Sequence, residues 1–264
     1  MKFSGNNLFF APMYVHKRIG ILAFKKSILY WFESSFWNIV DLVFPPTCPS
    51  CQEIGFRWCE DCQRVVRPLA GVQICQVCGA PSDKARCKRC KSLRPSFVQL
   101  RSWVVFRHPI RSVLHSLKYQ HNIGLGQTLA WAISPSLKQY NWPVQEVVPI
   151  PLSEQRQRER GYNQAGLIAR PTSQLMEIDY RPNALWRARH TRSQVGLTIK
   201  EREKNVQNAF EADSALVAGK SILLMDDVCT TGATLTDAAR ALSNAGAQAV
   251  YAFTIARALS HADA

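Results

Sequence analysis

From residue 103 onward, short apolar runs alternate with longer stretches whose apolar residues recur every three or four positions. Residues 103–106, 147–150, 222–225 and 249–255 have the length and composition of strands. Residues 110–118 place Val113, Leu114 and Leu117 on one face of a helix, and 127–137 predicts a second helix despite Pro135. Residues 164–176 predict a third, kinked at Pro171, and 200–206 a short one. The helix expected over 234–245 carries Leu235, Ala238, Ala239 and Leu242. Strand runs without polar alternation are buried on both faces, so the pattern predicts an α/β fold with a largely parallel sheet. Near the N-terminus, Leu29, Phe32, Phe36, Val40 and Val43 predict an amphipathic helix over 27–44. Glu33, Asp41 and Lys25-Lys26 argue against a membrane span, and no small-residue cleavage site marks a signal peptide. Such a helix suits packing on the rest of the chain, or association with a membrane surface. Three segments are expected: an extension and helix (1–44), a Cys-rich module (45–93) and an α/β domain (94–264).

The chain has 264 residues, 47% of them hydrophobic, enough for one good core and a small accessory module. Lys and Arg number 33 against 19 Asp and Glu, a formal charge of +14. No acidic residue occurs between Lys84 and Gln145, where Arg86, Lys88, Arg89, Lys91, Arg94, Arg101, Arg107, Arg111 and Lys118 accumulate. A field of this sign attracts phosphates and nucleic acid. Phe97, Trp103, Phe106 and Tyr119 lie within it, as stacking residues for a single strand or as core.

Eight of the nine cysteines form four Cys-x-x-Cys pairs: Cys48/Cys51, Cys59/Cys62, Cys75/Cys78 and Cys87/Cys90. Each pair places two thiolates on one metal through a tight turn, predicting two structural zinc ions. Without a secretory signal, a disulfide framework is the weaker reading, and a reducing cytoplasm fits better. Sequential pairing and cross-bracing of first with third and second with fourth are both open.

Residues 222–234 read Ile-Leu-Leu-Met-Asp-Asp-Val-Cys-Thr-Thr-Gly-Ala-Thr. An apolar strand delivers Asp226 and Asp227 to its carboxyl end, where ligands of open α/β sheets bind. Carboxylates accept hydrogen bonds from vicinal hydroxyls, and a Thr-rich turn at a helix N-terminus holds a phosphate. Val228, Cys229, Thr230, Thr231, Gly232, Ala233 and Thr234 complete a site suited to a ribose 5-phosphate. Three clusters bear on a pyrophosphate: Lys118 at a helix end, Arg156, Arg158 and Arg160 after the strand at 147–150, and Arg192 in a lid-like stretch, 187–197. On charge pattern alone 152–164 reads as a solvated Arg/Glu helix, and its position directly after Pro149-Ile150-Pro151 turns the reading toward function. Few residues follow the last strand, so any surface recognising an acceptor must come from the N-terminal side, through the zinc module.

The order Asp-Asp-x-x-Thr-Thr-Gly-x-Thr behind four apolar residues resembles the phosphoribosyl-pyrophosphate (PRPP) motif of type I phosphoribosyltransferases. Leu42 to Cys51, Leu117-Lys118-Tyr119, Pro151-Leu152-Ser153, Arg158 to Gln164, Thr191 to Leu197, Glu201-Arg202, Asn205-Val206 and Ala209-Phe210 resemble successive blocks of the ComF family. The resemblance spans residues 40–258. It implies a double zinc ribbon ahead of a phosphoribosyltransferase-fold domain and a cytoplasmic protein handling imported single-stranded DNA in natural transformation. DNA-uptake helicase or recombination partners are implied as well. It also implies PRPP with Mg²⁺ at Asp226 and Asp227, and leaves open a phosphoribosyltransferase of nucleotide metabolism.

Overall fold

The computed structural model describes residues 45–69, 73–188 and 208–259. The helices expected over 27–44 and 200–206, and Arg192 with the stretch from 189, lie outside the described residues. Two short helices, α1 (Glu60–Arg64) and α2 (Lys88–Leu93), belong to the Cys-rich region. Next come β1 (Gln99–Val105), α3 (Ile110–Tyr119), α4 (Leu125–Lys138), β2 (Glu146–Pro149), α5 (Glu154–Arg160), α6 (Gln164–Met176), β3 (Asp179–Tyr180) and β4 (Leu185–Arg187). The chain closes with β5 (Phe210–Ala212), α7 (Ser214–Val217), β6 (Ser221–Cys229), α8 (Ala233–Asn244) and β7 (Ala249–Arg257).

Five strands form one parallel sheet in the order β1-β7-β6-β2-β3, while β4 and β5 make a separate antiparallel ribbon. Alternation along β6 sends Leu223 and Met225 to one face, where they meet Leu117 of α3, Leu129 of α4 and Ile168 of α6. Ile222 and Leu224 go to the other face, against Leu235, Ala238 and Leu242 of α8 and Phe210 of β5. Both faces are thus covered, as a parallel sheet requires.

Two strand ends differ by four residues from the sequence reading. β1 starts at Gln99 because Arg101, a charge that broke the apolar pattern, is buried with its guanidinium bonded to the carbonyls of Leu100 and Gln76, each at 2.9 Å. β6 continues past Met225 through both aspartates, since those side chains find partners. The Arg/Glu stretch after β2 is helical, as α5, with Ser153 capping it by accepting the Arg156 N–H.

α6 continues through Pro171, which has no N–H for the Leu167 carbonyl four residues back. That carbonyl faces α4 at Gly126, where an added Cβ would lie 2.5 Å from it. The contact of α4 with α6 therefore depends on a residue without a side chain. Gly126→Ala is expected to destabilise the fold by about 1–3 kcal/mol through overpacking, read from urea denaturation. An unchanged midpoint would mean that α4 shifts freely over α6.

Candidate functional site around Asp226 and Asp227

The two aspartates are neighbours on the central strand, yet they have different surroundings. Asp227, 4% exposed, is ion-paired with Lys118 from the last turn of α3. Gln164, the first residue of α6, donates its Nε2 to Asp227 Oδ1 at 3.4 Å. Arg160 holds Gln164 by donating to its Oε1 at 2.8 Å, and the same guanidinium lies 5.0 Å over the Tyr119 ring. Burial acts to raise the Asp227 pKa, but the Lys118 ammonium and these donors outweigh it and hold the carboxyl below its usual range. Asp226, half-buried, accepts the Asp227 N–H at 2.8 Å. Burial and then the adjacent Asp227 charge push its pKa well above the carboxylate range. The pair thus comprises a compensated anion and a carboxyl disposed to keep a proton.

Beyond β6, Thr230 and Thr231 turn the chain into α8 through Gly232 at φ +77°. Thr231 Oγ1 accepts the Ala233 N–H at 3.3 Å, and Thr236 donates its hydroxyl to the Gly232 carbonyl at 2.9 Å. The positive end of the α8 dipole lies at this turn, an arrangement that favours an anion. Cys229 is buried beneath it, which raises its thiol pKa and leaves it a packing residue. On the Asp226 side, Arg187 ends β4, donates its Nε to the Pro151 carbonyl at 3.1 Å and sits 4.7 Å over Phe210. Burial lowers the Arg187 pKa, opposed by the charge of Asp226, with Arg156 close enough to be felt.

The cysteines form two sequential groups, Cys48/Cys51/Cys59/Cys62 and Cys75/Cys78/Cys87/Cys90, with all sulfurs of a group within 4.8 Å of one another. This settles the pairing against cross-bracing. Tetrahedral thiolates at a Zn–S bond of about 2.3 Å stand about 3.8 Å apart. The Cys51–Cys59 and Cys78–Cys87 sulfur separations, 3.5 and 3.7 Å, fit that geometry. Against burial, amides of residues 59, 51 and 50 pull the Cys48 thiol down to about 6, while burial and neighbouring thiols push Cys62 up. The second group splits likewise, Cys75 falling to about 6 and Cys90 rising. A bound divalent cation would relieve that mutual repulsion, and the donor set suits zinc.

Comparison with known proteins adds to this geometry. Residues 39–92 match a double zinc ribbon domain and residues 173–263 a phosphoribosyl transferase domain. The DNA utilization protein YhgH of Escherichia coli (strain K12) is 27% identical over 230 residues, covering 83% of this chain and 100% of that protein. Competence protein ComFC of Bacillus subtilis (strain 168) is 31% identical over 208 residues, 75% of this chain and 83% of that protein. This chain belongs to the ComF family. An adenine phosphoribosyltransferase crystal structure superposes at a TM-score of 0.35, with 18% identity, over 51% of this chain and 71% of that one.

In this ComF-family chain the residues singled out from sequence separate into groups. Lys118 and Arg160 converge on Asp227, as ion-pair partner and as support for Gln164. Arg156 is half-buried near Arg187, whereas Arg158 lies in solvent, paired with Glu154 at 3.6 Å on the same helix. Phe97 is core and Trp103 packs edge-on to Trp58 at 6.0 Å, so of the four aromatics in the basic stretch only Tyr119 is exposed. Those four therefore do not form one stacking platform. Sequence reasoning missed Gln164 and Asp237 as support residues, and counted Arg187 only as the first residue of the lid-like stretch. Asp237, on α8, accepts the N–H groups of Asn208 and Ala209 at 2.9 and 2.8 Å, anchoring the chain where it enters β5. No periodicity announces such a role, because it depends on where residues 208 and 209 return.

The ComF-family protein is expected to carry two zinc ions, and Cys90→Ser one, measured by elemental analysis of the purified chains. Two ions in the variant would exclude Cys90 as a ligand. A second expectation concerns Asp226, which takes a proton more readily when folded, so its contribution to stability falls as pH rises above about 4. Asp226→Asn should therefore gain stability over wild type as pH rises above about 4, with no pH-dependent gain below it. A pH-independent difference in urea denaturation would refute the buried charge penalty.

Proposed function

We propose that this chain binds PRPP, or a related ribose 5-phosphate, at the Asp226–Thr234 segment, and that it handles imported single-stranded DNA in natural transformation. The observation that carries the ligand assignment is the acid pair at the end of the central strand, directly before a Thr-rich turn and the N-terminus of α8. Asp227, kept anionic by Lys118, accepts a ribose hydroxyl, and Asp226 contacts its neighbour. Residues Val228 to Thr234 bind the 5-phosphate through turn amides and hydroxyls. Arg187 and Arg156, on the Asp226 side, neutralise the pyrophosphate. Asp226 is the carboxyl that would hold a Mg²⁺ ion brought by PRPP, and the ion would supply positive charge to offset the pyrophosphate.

The DNA role is supported by family membership and by the names of two relatives, a DNA utilization protein and a competence protein. The chain's net charge of +14 suits a polyanion. Among the described residues no helix is long and apolar enough to cross a membrane.

Calorimetry with PRPP and Mg²⁺ is expected to show binding by wild type and a loss of about tenfold or more in Asp226→Asn/Asp227→Asn, equivalent to about 1.4 kcal/mol. Equal affinity in both would dismiss the acid pair as ligand contact. A pyrophosphate-release assay across nucleobases separates the alternatives, since release would identify a phosphoribosyltransferase of nucleotide metabolism. Affinity for single-stranded DNA should fall steeply between about 50 and 200 mM salt. No binding at the lower salt would overturn the DNA reading.

A further inference from the structure

The second Cys₄ group lies against the ligand turn. Arg89, on α2, donates its Nη1 to the backbone carbonyl of Thr231. Arg89 stands between Cys87, which precedes α2, and Cys90, within it. A helix of six residues does not persist alone in water, so the two sulfur ligands decide where Arg89 is. The rest of the ribbon is seated on the sheet beneath that turn. Leu100 donates its N–H to the Val77 carbonyl at 2.7 Å, Arg101 bonds the Gln76 carbonyl, and Arg257 bonds the Cys78 carbonyl. A Cβ on Gly79 would lie 2.7 Å from the Leu100 carbonyl oxygen, so only glycine admits this approach.

We propose that the second zinc ribbon is a strut for the phosphate-binding turn, with Arg89 as the positioning residue that makes ribose-phosphate affinity depend on zinc at Cys75, Cys78, Cys87 and Cys90. In a planar trans peptide the C=O and the following N–H point in opposite directions. Fixing the Thr231 carbonyl therefore fixes the Gly232 N–H opposite to it, at the start of α8. A charge-assisted bond to that carbonyl also strengthens the N–H as a donor, and it places a positive charge at the turn itself. Loss of zinc releases α2, the carbonyl loses its partner, and the turn loses its orientation. Thermodynamic reciprocity follows: if zinc favours the ligand, the ligand favours zinc by the same factor. The ligand half of this proposal rests on the ribose-phosphate reading above, whereas the strut itself does not.

The test uses full-length, zinc-loaded wild type, Arg89→Met and Arg89→Lys, with zinc content measured first. Two ions in every chain would show that the ribbons survive the substitutions; loss of one from Arg89→Met would itself tie Arg89 to the metal site and support the strut. Hydrogen exchange without ligand is expected to accelerate about threefold or more in peptides spanning 228–236 of Arg89→Met, with partial rescue in Arg89→Lys. PRPP with Mg²⁺ should bind Arg89→Met about tenfold more weakly. Saturating PRPP should slow the transfer of one zinc to a colorimetric chelator in wild type, and not in Arg89→Met. Unchanged exchange and unchanged affinity in a two-zinc Arg89→Met would overturn the proposal. Accelerated exchange together with no PRPP binding by wild type would uphold the strut and sink the ligand assignment instead.

Discussion

Two carboxylates in succession at the end of a buried strand repel each other and lose water, and most of the site's architecture compensates for that. Lys118 from α3 neutralises one of them, Gln164 from α6 bonds it, and Arg160 holds Gln164 in place while stacking on Tyr119. Two of the elements that supply these groups, α3 and α6, also cover one face of the sheet. The same packing that buries the core thus brings a cation to Asp227. Burial and the adjacent Asp227 charge leave Asp226 with a raised pKa, a perturbation of the kind that clusters at functional sites.

A second constraint is the exposed edge of the sheet at β1. An open parallel edge invites pairing with other chains. Here the segment before it covers part of that edge, through the Val105 N–H to the Arg67 carbonyl, the Leu69 N–H to the Trp103 carbonyl and a bridge between Pro68 and Val104. The second ribbon covers the rest at Leu100. The first ribbon packs into the core on the helical side, where Cys48, Trp58, Cys59 and Cys62 join residues of α3 and α4. The two cysteine groups are therefore parts of the sheet's own packing, and the second reaches the turn before α8 through Arg89.

Much of this was legible in the linear chain where the physics is local. Apolar runs located the central strands, three-and-four spacing located α3, α4, α6 and α8, and Cys-x-x-Cys spacing located the metal ligands. The acid pair and Thr-rich turn stood out because strand, turn and helix are contiguous. Legibility failed where a polar residue is satisfied from afar. Arg101 concealed the start of β1, since its carbonyl partners include Gln76, 25 residues earlier in the chain. Tyr119 and Phe97 looked alike in a basic stretch, although one is 59% exposed and the other 4%.

The sequence by itself determined the α/β class, the four Cys-x-x-Cys pairs and the chemistry offered at Asp226 to Thr234, because spacing along a regular backbone dictates which side chains share a face or a turn, whereas the grouping of the pairs into two Cys₄ sets came from the structure. Only the tertiary structure decided which cation answers which carboxylate. It paired Lys118 with Asp227, left Arg158 in solvent, made Arg160 a support and carried Arg89 to Thr231, 142 residues away. Those choices follow from how helices pack on the sheet and how the ribbon seats on its edge. Long flexible basic side chains look interchangeable until burial makes one of them the sole compensation for a particular charge.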